Sequence, residues 1–528
     1  MKSLPVEKIK KFIGENWKAG VLYLFLLFVS FVLLSRKVDF FEDELLTYNL
    51  ANVRDVFAPE DGVTYSPADE PFVEAMASNG RFGLEHIWFQ QANDTHPPLY
   101  YILVHAVCSL FPNSVSVRYA GIINVIFMLL TFWVFRKIVK LIIGDETVEY
   151  LTSVMFVLSV GLLSMVTLLR MYVMSMFWIT LFTYLIIRHI DKYEKKDFVY
   201  LFLVTLCGAL THYYCIAYDF FISVCVVIIC AFHKRFKEIG AYAISMCLAG
   251  GASVLIFPAM LVHIFHDERG AESMANLSDS DFVERFKTFF GLLDHELFGG
   301  IFGVIAFVML FLGIALLYEK SSGVDSDSPS FKLALYRYVC ILIPSTCYFL
   351  LVAKSAPFFT ERYISPIFAL GLAGIVGLCY QIIRLVVGKA GIARFVVAIL
   401  IAVMVFLGMK NYEWPYLYRE REAALSLAEN KGGSSSNAIC VYTSKWMINP
   451  HYLEISKCGT STFYKLSDYD SFTDRVDENL FGEKLALFII GDVERDFVDR
   501  FMTDHPEYTL SCDNGEWGYG HSYYFSKN

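Results

Sequence analysis

The chain is short of charge. Asp, Glu, Lys and Arg make up 18% of its 528 residues, against about 25% in an ordinary soluble domain. It carries no basic stripe or cluster of the kind that tracks a phosphate backbone, and its net charge is −9, so nucleic acid is set aside as a partner. It has no Cys-x-x-Cys and no Cys/His cluster at zinc spacing, which argues against a cysteine metal site. Most of its twelve cysteines stand singly in apolar runs, as at Cys207, Cys225, Cys230 and Cys247, where they read as small buried hydrophobes. Only Cys440, Cys458 and Cys512 lie in a more polar tail; a disulfide between two of them stays open. No small-residue cleavage site follows the first apolar segment, which ends at Arg36-Lys37, so that segment reads as a retained span. The chain also lacks an internal repeat, which weighs against inverted-repeat transporter folds.

What is present is lipid-compatible sequence: 56% hydrophobic and 16% aromatic residues, in apolar runs near the ~20 residues needed to cross a bilayer. The chain is an all-α polytopic membrane protein with a small C-terminal α/β domain. Lys2, Lys8, Lys10, Lys11 and Lys18 precede the first span (19–36) and place the N-terminus in the cytoplasm. Arg136-Lys137 with Lys140, Arg188 to Lys196, His233 to Lys237, and Arg384 to Arg394 then mark further inside loops. Pro97 to Phe111 is apolar but short, and counting it as a crossing would put two of those basic clusters outside. It reads as a re-entrant or interfacial helix, giving about eleven spans, with 10 to 13 possible. The domains expected are a membrane domain over 1–409 and an extracytoplasmic α/β domain over 410–528.

The outer loop, 38–96, holds twelve Asp/Glu up to Thr95 but only Arg54 and Arg81 as Lys/Arg. Leu45, Leu46, Leu50 and Val53 predict one amphipathic helix behind Asp43-Glu44, and Phe82 to Phe89 a second. Ser321 to Ser330 and Lys431 to Asn437 read as linkers. In the tail, Ala438 to Tyr442 and Leu485 to Ile490 predict buried strands, with a helix through Phe501 and a last strand over Ser522 to Phe525. The tail shows no phosphate-binding glycine pattern.

The same threading places Asp43-Glu44, His96-Pro97-Pro98, Arg170-Met171-Tyr172, His212-Tyr213 and Glu361-Arg362-Tyr363 on one outer face. A carboxylate beside a bilayer is costly unless it faces water or does chemistry. An arginine at a helix end ordinarily snorkels to the headgroups, and a tyrosine there is ordinarily an interface anchor. Two Arg-aromatic pairs, two His-containing turns and an acidic pair together fit a charged cavity better.

Over about residues 15–370 these motifs, in this order and spacing, resemble the GT-C superfamily of membrane glycosyltransferases. In particular they are similar to the protein O-mannosyltransferase and lipid A aminoarabinose transferase family. The resemblance rests on Asp43-Glu44, His96-Pro97-Pro98-Leu99, Arg170-Met171-Tyr172, Thr211-His212-Tyr213-Tyr214, and Arg362-Tyr363 with Pro366. It implies transfer of a sugar from a polyprenyl-phosphate donor to a glycan, lipid or protein acceptor, outside the cytoplasm at a bacterial plasma membrane. By resemblance Asp43 is the base for the acceptor hydroxyl, and Glu44 orients the acceptor or Asp43. His96, Arg170, Tyr172, His212, Tyr213, Arg362 and Tyr363 hold the donor's phosphate and sugar, the arginines because a guanidinium fork matches phosphate. At His96 the chain follows the mannosyltransferases, where the aminoarabinose transferases have lysine; a helix-capping role for His96 stays equally open. The mannosyltransferase branch implies no catalytic metal and no other cofactor, although Asp43, Glu44 and Asp94 are oxygen ligands in principle. A transporter or flippase of an anionic lipid, or a non-catalytic scaffold displaying the tail, are the competing readings.

Overall fold

The computed structural model describes residues 6–54, 59–67, 75–77, 80–191, 194–278, 281–319, 329–410, 412–433 and 435–528. Lys2 and most of the Ser321–Ser330 linker lie outside these. Among the described residues, eight helices are long and apolar enough to cross a membrane. Two bent pairs, Glu146–Leu158 with Val160–Thr167 and Phe282–Phe298 with Phe302–Ile314, raise the number to ten. Lys196–Ala209, at 14 residues, is shorter than a straight crossing requires and is the helix that separates this count from eleven. The molecule is thus an integral, multi-pass membrane protein. Leu99–Cys108 is a helix of 10 residues, about 15 Å long at 1.5 Å per residue. That is half a hydrocarbon core, which is why this apolar segment cannot be a span.

The chain divides into two compact units. The first comprises Met1–Leu33, Asp94–Tyr100 and Gly121–Trp414 and holds most of the membrane helices. Tyr172–Ile190 is its most enclosed span and Phe236–Ile256 its least, with Leu255 largely exposed as suits a lipid-facing side chain. Asp219 and Glu296, buried within apolar helices, are each satisfied by a hydroxyl. Thr205 Oγ1 donates to Asp219 at 2.9 Å, and the Tyr412 phenol donates to Glu296 at 2.6 Å. Paired in this way they are tolerated in a low-dielectric surround. The 87° bend after Phe298 falls at Gly299-Gly300, both at positive φ. A Cβ on Gly299 would sit 2.7 Å from the Gly408 amide nitrogen, so glycine is required there on two counts.

The second unit comprises Leu34–Asn93, Tyr101–Ala120 and Pro415–Asn528. Its sheet has strands β1 (Thr64–Tyr65), β2 (Ser436–Tyr442), β3 (Thr460–Lys465), β4 (Lys484–Ile490), β5 (Tyr508–Trp517) and β6 (Gly520–Lys527), in the order β1-β3-β2-β4-β6-β5. β2 pairs in parallel with β3 and β4, and β6 and β5 close the other edge antiparallel. β2 and β4 are central and buried almost throughout, which is why they read in sequence as continuous apolar runs. Tyr469, Phe472, Phe497 and Phe501, from the helices Tyr469–Arg475 and Phe497–Asp504, pack with Ile439, Val441, Leu485 and Leu487. The predicted strands and the helix through Phe501 are all found. Cys440, Cys458 and Cys512 are free thiols. The boundary expected at 409/410 differs from the observed division. Thr64 and Tyr65 of the outer loop pair antiparallel with Thr462 and Ser461, so the loop is built into the tail's sheet. A two-residue strand has no periodicity to read, so only the pairing reveals it.

Candidate active site

In the first unit, two breaks in helical structure bring a polar group together. The chain leaves helical geometry after Thr167, and the freed carbonyls of Val166 and Leu168 accept from the side-chain amide of Asn124, at 3.2 and 2.6 Å. Asn124 is fully buried, and its own oxygen accepts from the Tyr100 phenol at 3.2 Å. This holds the turn that carries Arg170. The second tie is backbone: the Leu99 amide, just past Pro97-Pro98, donates to the Leu210 carbonyl at 2.9 Å. It sets the His96 segment beside the turn that carries His212.

His96 lies between an acid and a base. Its Nδ1 is 2.9 Å from Asp94 Oδ2, and its Nε2 is 3.2 Å from Nη2 of Arg170. A guanidinium can only donate and a carboxylate can only accept. The bonds are therefore satisfied together when His96 carries its proton on Nδ1 and accepts on Nε2. Burial works to raise the Asp94 carboxyl, but His96, Arg170 and the Thr95 backbone outweigh it and hold Asp94 below the usual carboxylate range. Arg170 is only 3% exposed, which is no place for a snorkelling side chain.

His212 caps the helix Tyr213–Phe232: its Nδ1 accepts from the Tyr214 amide at 3.2 Å, which puts its proton on Nε2. Burial, with His96, Arg170 and Arg362 nearby, pushes it well below the ordinary imidazole range, so it is a neutral donor. Its ring centroid lies 6.3 Å from His96, 5.6 Å from Tyr172 and 5.2 Å from Tyr214. Tyr363 in turn meets Tyr172 at 6.0 Å and Tyr214 at 6.3 Å, both edge-on. Arg362 lies over the Tyr363 ring, 5.2 Å from its centroid. The 3₁₀ turn Glu361–Tyr363 is pinned by the Tyr348 phenol donating to the Tyr363 carbonyl at 2.9 Å. Tyr213 points elsewhere in its contacts, its phenol 2.7 Å from His263 Nδ1.

Asp43 and Glu44 belong to the second unit. Both lie in the first turn of the helix Glu42–Asn52, where acids are favoured by the helix dipole. Asp43 is half-buried. Glu44 is fully buried and committed: its oxygens lie 2.9 and 3.1 Å from the Lys37 ammonium, and one also accepts the Phe41 amide at 3.0 Å. It closes the helix N-terminus in the manner of a capping box. A carboxylate held this way anchors the start of the helix that carries Asp43.

Six of the expected residues (His96, Arg170, Tyr172, His212, Arg362 and Tyr363) thus share one network. The residues missed are Asn124, Asp94 as the His96 partner, His263 and Lys37. A lone Asn inside an apolar helix, and an acid two residues before His96, were the available signals for the first two. The arrangement supplies two guanidinium groups, a neutral imidazole donor and phenols at one place, which suits an anionic ligand with hydroxyl groups. The fold is that of a multi-pass membrane protein of the GT-C kind, by its likeness to solved structures. The structure is similar to ArnT from Cupriavidus metallidurans bound to undecaprenyl phosphate, at TM-score 0.54 and 13% identity over 96% of this chain and 98% of that one. The apo form of the same ArnT matches at TM-score 0.53 and 12% identity, over 97% and 98%. At such identity the likeness is one of fold. No family model and no curated protein matches the sequence.

Proposed function

We propose that the protein is a glycosyltransferase that moves a sugar from a polyprenyl-phosphate donor to a hydroxyl-bearing acceptor on the extracytoplasmic side of the membrane. The observation that carries this reading is the Asp94–His96–Arg170 array, half-buried at Asp94 and His96 and buried at Arg170, with His212, Tyr172, Tyr363 and Arg362 around it. Its support is the fold shared with ArnT, a protein crystallised with undecaprenyl phosphate. In the reaction the acceptor oxygen forms a bond to the anomeric carbon, and the bond from that carbon to the phosphate oxygen breaks. The electron pair leaves with the polyprenyl phosphate, and the hydroxyl proton passes to Asp43. Phosphate leaves well without a strong acid, so the chief need is positive charge and donors where its oxygens gain charge. Arg170 and Arg362 supply the charge. His212 and the tyrosines supply donors to phosphate or sugar, and Glu44 holds the helix on which Asp43 stands. The orientation that serves this chemistry has the N-terminus in the cytoplasm and residues 410–528 outside.

The test is to incubate purified protein with a panel of polyprenyl-phosphate sugars and a membrane extract, and to identify the labelled product. Asp43→Asn serves as the control. Sugar transfer that falls by ~10²–10⁴-fold in Asp43→Asn, with donor binding kept, is the expected result. Absence of transfer from every donor removes the reading, and near-normal turnover in the variant removes Asp43 from it.

A further inference from the structure

The mechanism leaves one buried charge network in the second unit unused. Arg421 is 3% exposed; its Nε lies 3.2 Å from Asp39 Oδ2 and its Nη2 2.7 Å from Glu454 Oε2. Its guanidinium also lies over the Trp517 ring, 4.9 Å from the centroid. Glu454 is fully buried and tied to the sheet: Asn514 of β5 donates to it at 2.7 Å, and Ser522 and Tyr524 of β6 at 2.5 and 2.9 Å. At the other end Asp39 accepts the Phe40 amide at 2.7 Å and stands three residues before the helix Glu42–Asn52. A second link runs alongside. The Val38 amide donates to the Leu417 carbonyl at 2.9 Å, while Lys37 donates to the Tyr416 carbonyl at 2.7 Å and pairs with Glu44.

We propose that Arg421, held by Glu454 and gripping Asp39, is a positioning residue through which the C-terminal sheet sets the Asp43-bearing helix for transfer. The proposal rests on the reading of Asp43 as the base. Its physical warrant is cost. Burying three charges is expensive, and apolar side chains of similar volume fill such a space with equal or better stability. A fully satisfied ionic chain, fixed to two strands at one end and to the acidic helix at the other, is useful for register. The guanidinium matters because its fork reaches two carboxylates in different directions, which one ammonium cannot do. On this account the tail is part of the catalytic apparatus and not an appendage.

Two conservative variants test it in the full-length protein: Arg421→Lys, which keeps the charge but not the fork, and Asp39→Asn, which keeps the shape. Each is compared with wild type for kcat per folded molecule, donor KM, and hydrogen exchange of residues 42–52 against β4. The expected result is a kcat fall of ~10–10²-fold, as for a displacement near 1 Å of a reacting group, with donor KM nearly unchanged. Exchange should quicken in residues 42–52 while β4 stays protected. Unchanged kcat in both variants while Asp43→Asn is inactive overturns the positioning role and leaves the base reading intact. Loosening that extends equally over β4 also overturns it, in favour of general stabilisation. Full turnover in Asp43→Asn overturns the base reading and the proposal together, a result distinct from the other two.

Discussion

Replacing Arg170 by lysine separates phosphate recognition from simple charge. The guanidinium is buried, with one of its nitrogens 3.2 Å from His96 Nε2, and its planar fork has the geometry to engage the histidine and a phosphate oxygen in different directions. Lysine keeps the formal charge but offers a single point, so either the His96 bond or one phosphate contact is lost. A hydrogen bond to a charged group is worth about 1.5–3 kcal/mol. At 1.36 kcal/mol per tenfold in rate, that converts to a fall of roughly 10- to 150-fold. The ammonium is also compact and strongly hydrated, and burial there favours its neutral form, which pushes the loss toward the upper end. If the contact strengthens as the leaving phosphate gains charge, the fall appears in kcat and kcat/KM alike. The assay is single-turnover transfer from a saturating polyprenyl-phosphate sugar, with a donor titration and a thermal melt of the same preparation. Transfer within about twofold of wild type, in a variant that melts normally, would falsify the phosphate role of Arg170.

Two other predictions concern stability. Glu44→Gln leaves the buried Lys37 ammonium without its countercharge, which costs about 3–5 kcal/mol; yield and melting temperature should fall while the folded remainder still transfers sugar. A variant that melts like wild type yet is inactive would instead put Glu44 in the reaction itself. His451 is buried, and burial pushes its imidazole down to about 4. Its folded value is depressed, so its contribution is present above about pH 6.5 and is lost as pH falls toward 4, by about 3 kcal/mol in all. His451→Gln should flatten the acid limb of a melting-temperature profile over that window, and an unaltered limb would rule out His451 as its source.

Much of the molecule is legible in the sequence because lipid imposes a strong rule. Backbone polar groups must be satisfied within the segment, so spans announce themselves as long apolar runs. That is why Trp17–Ser35, Tyr172–Ile190 and Ala390–Met409 could be read directly, and why β2 and β4, buried on both faces, stood out in the tail. The shortness of Leu99–Cys108 could likewise be read by counting residues. Six of the expected site residues share one network; singly each arginine reads as a snorkel and each tyrosine as an interface anchor, and it was their number on one outer face that pointed to a cavity.

Tertiary structure decided what each side chain is for. Asp43 and Glu44 are adjacent and chemically alike, yet one is half-buried and the other is sealed against Lys37. Only the fold of residues 34–44 determines which is which. The tautomer of His96 follows from Asp94 on one side and Arg170, 74 residues away, on the other. Thr64–Tyr65 joins a sheet whose other strands begin some 370 residues later, and Arg421 couples Asp39 to Glu454 across a similar gap. Such pairings leave no local trace, because a hydrogen bond or ion pair between distant segments constrains neither period nor composition.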